Sequence, residues 1–384
     1  MKYKSSDEEV ETLGDIGFND RVVMEKRQRV QWLDLPTGLW TMIARHLINL
    51  DNTTFEIRRF RSVCKTWRSA HPLPQHKPFA IPLGTGKSCL LQTKIYRLEP
   101  VSHEPHNDQD PSISSSKGWI IMSKSVLLPF LNPFSGYPIS NTPHTSSSDT
   151  SPRVLNIMNF KAVELIEAFN LSGNPNSNND CKVVLFPSFH VEDRMMCALF
   201  HDDGKLYVRQ TRDKKWTMMN LNYYDGFHSY HDIIIHKRQI YVIDNLGTIF
   251  WINPSSLKLV QFTQPLWMWH NGKKKKMVEC GGILYVVDMI IRGFSLHEEV
   301  DIKVYKVNEE SGRWEVVKNL GDVVFVLGKD SNFSLSAQDY HGFEGNCIYF
   351  HISTHEGRIF CFSLKDSMLK TPNPLWPCPS LFNH

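Results

Sequence analysis

The chain has 384 residues, 41% of them hydrophobic and 22% charged, with 43 basic and 40 acidic side chains for a formal net charge of +3. That length asks for a small domain beside a larger one, and the composition is ordinary for a folded globular chain. The balanced charge lacks the electrostatic footprint of a nucleic-acid binder, and no stretch approaches the roughly 20 apolar residues that span a bilayer, so neither nucleic acid nor a membrane is expected as a partner.

The opening segment, MKYKSSDEEVETLGDIGFND, has no apolar run behind its lysines and does not read as a secretory signal. Residues 1–30 are polar, acidic and then basic, and are expected to form a disordered arm. A cytoplasmic or nuclear setting follows, in which Cys64, Cys89, Cys181, Cys197, Cys280, Cys347, Cys361 and Cys378, with no CxxC pair among them, read as small buried apolar residues rather than disulfides or zinc ligands. The sequons at Asn52, Asn170 and Asn332 carry no meaning in such a setting.

From Trp32 the texture becomes helical. Leu35, Leu39, Ile43 and Leu47 recur every four residues, and Pro36 stands near the start, where a missing N–H costs little; an amphipathic helix of about three turns is predicted. Thr53 and Glu56 then form a capping box, and Phe60, Val63, Cys64 and Trp67 follow at i, i+3, i+4, i+7 as the apolar face of a second helix, closed by His71 and Pro72. These faces, with Trp40 added, carry more apolar surface than about 40 residues can bury alone. Either the helices pack on the rest of the chain or a partner completes them. The reading gives a helical module over residues 31–71 and a proline-rich linker over 72–82.

Residues 83–384 switch to short β-type runs between turn residues, with Val163–Phe169 the one further helix candidate. Lys205-Leu206-Tyr207, Gln239-Ile240-Tyr241, Ile283-Leu284-Tyr285 and Cys347-Ile348-Tyr349 form a weak repeat at unequal intervals, and strands elsewhere begin on aromatics such as Trp216 and Trp314. Strand groups recurring every 40–50 residues or so are the signature of propeller blades, and the length available makes about six irregular ones. Two packed sheets or a sandwich remain the alternative. SHEPHNDQDPSISSS, NTPHTSSSDTSP and NLSGNPNSNND read as solvated loops.

Catalytic motifs are lacking. Gly84-Thr85-Gly86-Lys87-Ser88 has Ile81 where a phosphate-binding loop needs its first glycine, and there is no HExxH, no GxSxG and no helix-opening GxGxxG. His190, His201, His228, His231 and His236 show no repeating ligand spacing, so no metal or other cofactor is expected. Lys273 to Lys276 read as a solvated hairpin loop, with a nuclear import signal or an anion patch as the other readings. Tyr223, Tyr224, Phe227, Trp267 and Trp269 are loop aromatics that could anchor a partner.

Leu35-Pro36-x-x-Leu39-x-x-x-Ile43-x-x-x-Leu47 followed by Phe60-Arg61-Ser62-Val63-Cys64-Lys65-x-Trp67-Arg68 closely resembles the F-box, with its opening Leu-Pro pair and its Val-Cys-x-x-Trp-Arg ending. Gly118-Trp119-Ile120-Ile121, Leu131-Asn132-Pro133-Phe134-Ser135-Gly136, Gly345-Asn346-Cys347-Ile348-Tyr349-Phe350 and Pro374-Leu375-Trp376-Pro377 resemble the C-terminal, kelch-like domain of plant F-box proteins of the Skp-interacting type. The resemblance implies a small all-α F-box module before a mostly all-β, irregular kelch-like β-propeller. It also implies a Skp-type adaptor as partner, with cullin and RING subunits behind it, and an unidentified protein substrate held by the β domain. The implied docking set is Leu35, Pro36, Leu39, Ile43, Leu47, Phe60, Val63, Cys64 and Trp67, some of them core and some contact. On this reading the chain is a non-catalytic adaptor for target ubiquitination. A non-ligase interaction scaffold is the alternative, and an enzyme on the β domain a distant third.

Overall fold

A computed structural model describes residues 35–48, 53–70, 80–82, 89–101, 117–124, 130–136, 160–172, 181–186, 195–200, 203–210, 213, 215–219, 229–266, 274–292, 299–328, 330–352 and 359–370. The N-terminal arm, the glycine-rich stretch 84–88, residues 72–79 of the linker, the five loop aromatics and Pro374–Pro377 lie outside the described residues.

Three helices come first: α1 (Thr37–Ile48), α2 (Thr53–Val63) and α3 (Lys65–Ala70). The single second helix expected from the sequence is divided at Cys64. Its thiol accepts the backbone N–H of Trp67 at 3.5 Å while its carbonyl accepts that of Arg68 at 3.1 Å, so Cys64 ends one helix and caps the next.

The β domain holds β1 (Ala80–Pro82), β2 (Cys89–Pro100), β3 (Trp119–Ser123), β4 (Phe160–Ser172), β5 (Cys181–Phe186), β6 (Met195–Phe200), β7 (Lys205–Gln210), β8 (Thr217–Met219), β9 (Tyr230–His236), β10 (Gln239–Asp244) and β11 (Ile249–Asn253). The chain continues through β12 (Lys258–Gln261), β13 (Lys274–Cys280), β14 (Ile283–Arg292), β15 (Glu299–Asn308), β16 (Arg313–Val317), β17 (Val323–Leu327), β18 (Asn332–Ser336), β19 (Cys347–His351), β20 (Ile359–Ser363) and β21 (Met368–Lys370). Ala80–Pro82, the end of the expected linker, pair with Cys89–Leu91 of β2 and so belong to the sheet.

These strands make four hydrogen-bonded sheets: an eight-stranded one (β1–β8), two four-stranded meanders (β9–β12 and β13–β16) and a five-stranded one in the order β18-β17-β19-β20-β21. The largest sheet is hinged between β4 and β5, which share one backbone pair, Phe169 with Val183. Among the described residues the strands therefore fall into five groups. Buried clusters link each group to the next, and the cluster of Ile95, Ile120, Met122, Leu131 and Phe134 with Val324, Val326 and Tyr349 joins the last group to the first. The result is a closed ring of radially packed sheets, the arrangement of a β-propeller. Where the ring closes, Gly118 donates to the Asp339 carbonyl at 2.8 Å and accepts from His341 N–H at 3.0 Å; a Cβ here would stand 2.8 Å from the Arg97 side chain.

Val163–Phe169 is part of a strand, because β4 pairs with β2 along its length, and that ladder outweighs a local pattern compatible with a helix. Lys274–Lys276 open β13 rather than tip a hairpin loop: Lys275 is buried and meets Asp288 at 3.1 Å across the β13–β14 pair. The tyrosine repeat does not mark one strand position, since Tyr241 and Tyr285 sit in the second strand of their meanders while Tyr207 sits in the third of β5–β8. In the five-stranded sheet, β18 turns back on the central side of β17 and the chain re-enters on the other side as β19, parallel to β17, which lengthens the last interval.

Candidate functional site

The helical module is organised around Trp40, which is fully buried. Its ring centroid lies 4.1 Å from that of Trp67 and 6.4 Å from that of Phe60, and Phe60 and Trp67 are 4.8 Å apart. Leu35 and Ile43 complete the cluster. α1 starts where Pro36 presents its carbonyl to Leu39 N–H at 2.9 Å, so the proline ring costs no helical hydrogen bond. The loop into α3 is closed by a reciprocal pair, Arg61 donating to the Arg68 carbonyl at 2.9 Å and Arg68 to that of Arg61 at 3.3 Å.

The structure divides the predicted docking set. Leu35, Ile43, Phe60 and Trp67 face inward onto Trp40, and Cys64 is half-buried as a cap. Pro36 is exposed, Leu39 is 43% exposed and Val63 41%. The side chain of Leu47 lies outside the described residues. Met42, 64% exposed, stands one turn from Leu39 on the same face. It falls off the Leu35–Leu47 stripe and was missed for that reason; an apolar residue three positions after Leu39 was the available signal. Pro36, just before α1, and Leu39 and Met42 on it thus form an apolar strip over a core already filled by three aromatic rings.

The centre of the β domain is polar. β5, β9, β13 and β18 are neighbours across sheet boundaries there, and all four meet on one buried carboxylate, Asp232. Its Oδ1 accepts Lys182 Nζ at 2.8 Å, and its Oδ2 accepts Met277 N–H and Asn332 Nδ2, each at 2.7 Å. Burial alone would push this carboxyl up; the charges of Lys182 and Lys276 and these hydrogen bonds outweigh it and hold the group below the usual carboxylate range. A second carboxylate, Asp330, takes Lys124 Nζ and Thr93 Oγ1, both at 3.3 Å, and Asn170 Nδ2 at 3.4 Å, tying the last group of strands to the first. His236 is buried between Glu309, at 2.9 Å from Nε2, and Glu279, at 3.5 Å from Nδ1.

Beside these groups lies a cavity of about 750 Å³, walled by β4, β5, β9 and β18 with Gln92, Lys182, Glu279 and Asn332 among its polar lining. Most of its polar lining is engaged, Lys182 and Asn332 with Asp232 and Asp330 with Lys124, while Ser331 Oγ and Asn332 Oδ1 have no hydrogen-bond partner among the described residues; among those residues no three His, Cys, Asp or Glu converge as a metal-ligating group. Sequence reading found none of this centre, because Lys182, Asp232 and Asn332 are far apart in the chain and share no motif. No helix among the described residues is long and apolar enough to cross a membrane.

Residues 87–365 match the family model described as the KIB1-4 β-propeller. The chain is similar to the F-box protein At2g26160 of Arabidopsis thaliana, 27% identical over 350 residues, which cover 84% of this chain and 96% of the relative. It is similar to the F-box protein SKIP23 of the same plant, 28% identical over 367 residues covering 85% and 86%. The F-box protein At4g35733 is 28% identical over 367 residues covering 88% and 93%. The resemblance to plant F-box proteins that carry a C-terminal propeller-like domain is thus met along most of the chain.

Proposed function

This chain belongs to the KIB1-4 β-propeller family, and from that premise we propose that it is the target-recruiting subunit of a Skp-cullin-F-box ubiquitin ligase. Residues 31–71 dock on a Skp-type adaptor, which is bound to a cullin carrying the RING subunit and the E2, and the β domain over residues 83–384 holds the target. The five strand groups among the described residues, one fewer than the six expected from length, are read as blades of its propeller. The setting is that of such ligases, cytoplasm or nucleus.

The observation that carries this reading is the exposed apolar strip of Pro36, Leu39 and Met42, with Val63 also exposed, on a module whose own core is closed by Trp40, Phe60 and Trp67. Apolar side chains at helical spacing, left in solvent after the core is complete, are the form of a surface that a partner helix covers. Relatives that are named F-box proteins, matched over 86–96% of their length, support the same reading. In it the chain makes and breaks no bond: it raises the effective concentration of a target lysine near a charged E2.

The test is co-expression of the full-length chain with a Skp-type adaptor and a cullin, followed by gel filtration. A complex of all three is expected. An adaptor complex that excludes the cullin would reduce the chain to an interaction scaffold, and no complex with well-folded chain would overturn the reading.

A further inference from the structure

The guanidinium of Arg58 leaves α2 and enters the β domain. Its Nη2 donates to Ser123 Oγ at 3.3 Å, and its carbon lies 4.2 Å from the centroid of the Phe130 ring. Ser123 is buried at the end of β3, and Tyr96 of β2, also fully buried, is near enough to act on the charge. Burial lowers the Arg58 pKa to about 10, opposed by the Tyr96 hydroxyl, so the group stays cationic at neutral pH. A planar cation held at once by a hydroxyl and an aromatic face is fixed in direction as well as in position. The residue following Ser123, Lys124, reaches Asp330, so the contact is rooted in the same strands that close the ring. Leu39, Met42 and Val63 stay exposed while Arg58 is engaged.

We propose that Arg58 is a positioning residue that fixes the bearing of the helical module on the β domain while leaving the adaptor-docking strip free. This deepens the ligase reading and rests on it for its consequence: a target held by the β domain stands at a set distance and angle from the adaptor, and so from the E2.

The experiment uses the full-length chain labelled with a donor and an acceptor fluorophore through non-natural amino acids at Thr66 on α3 and Met368 on β21, both exposed. Single-molecule energy transfer is expected to give one narrow distance distribution in the wild type, a distribution at least twofold broader in R58A and R58M, and an intermediate one in R58K, which keeps a cation over Phe130 but loses the fork. R58M fills the same space without charge and decides the matter if R58A does not fold. A narrow, wild-type distribution in folded R58M overturns the proposal.

In the reconstituted ligase, self-ubiquitination of the wild type should fall on few lysines of the β domain and spread over more of them in R58M, with adaptor affinity unchanged. An unchanged lysine pattern also overturns it. Failure of the wild type to bind adaptor would sink the ligase reading, whereas the distance distributions would still decide the role of Arg58.

Discussion

Three aromatic rings hold α1, α2 and α3 together, whereas the innermost strands of the β domain meet on one carboxylate. The first device is tolerant. Trp40, Phe60 and Trp67 pack at centroid distances of 4.1–6.4 Å, and their attraction grows with buried area rather than with one angle. It is even imperfect, since the indole N–H groups of Trp40 and Trp67 find no acceptor among the described residues. The second device is directional: Asp232 is fully buried and stable there because Lys182, Met277 and Asn332 are all in place. A module held by undirected packing can leave its outer face in solvent, while the ring of sheets is specified from its centre.

Removal of the carboxylate separates the two regions most strongly. Asp232→Ala strands a buried Lys182 and should cost about 3–5 kcal/mol, read as a fall in the denaturant midpoint of the β domain with the helical module unaffected. Trp40→Ala should cost about 3 kcal/mol, the low end for such truncations, because the indole loses packing but no hydrogen bond. Amide exchange should then rise in α1–α3 and stay slow in β9–β15. A loss spread evenly over both regions, for either variant, would contradict the division.

Acid separates the regions more gently. His231, next to Asp232, is held neutral by burial and by the charges of Lys275, Lys276 and Lys274, with its pKa lowered to about 4. The unfolded histidine takes a proton near pH 6.5, so between pH 6.5 and pH 4 the unfolded state binds more protons and the β domain loses stability as pH falls, by up to about 3 kcal/mol. Asp232, with its folded pKa depressed, contributes above its unfolded pKa and loses that contribution at still lower pH. His231→Gln should flatten the slope between pH 6.5 and pH 4 in calorimetric melts. The aromatic core of the helical module contains no titrating side chain, so a matching slope there would be unexpected.

What the sequence made legible follows the same line. Apolar periodicity at Leu35, Leu39 and Ile43, and the strand runs at Gln239–Asp244 and Ile283–Arg292, announce their elements because burial imposes a period. The resemblance at Leu35–Pro36 and Val63–Arg68 pointed to plant F-box proteins, the name that the similar Arabidopsis proteins carry, whereas the family shown rests on residues 87–365. Period alone did not say which side of α1 faces solvent: Leu39 shares a stripe with the inward Leu35 and Ile43, yet stands in solvent with Met42. Lys274–Lys276 misled because a lysine run has the composition of a loop, whereas Lys275 is buried against a carboxylate on the neighbouring strand. Asp232 and Asp330 left no trace in the sequence, since each acts on residues brought near only by the closed ring; nor did Arg58, whose partners Ser123 and Phe130 are reached only where the helical module meets the β domain.

Calorimetric titration of a Skp-type adaptor into full-length wild type and into a Leu39→Asp, Met42→Asp double variant decides whether the exposed strip at the start of α1 is the docking surface proposed for the adaptor. Both substitutions lie in solvent and should shift stability by no more than about 0.5 kcal/mol each. Saturable binding by the wild type is expected, with a loss of at least about 100-fold in the variant, equivalent to about 2.7 kcal/mol. Undiminished binding by the variant would contradict that assignment.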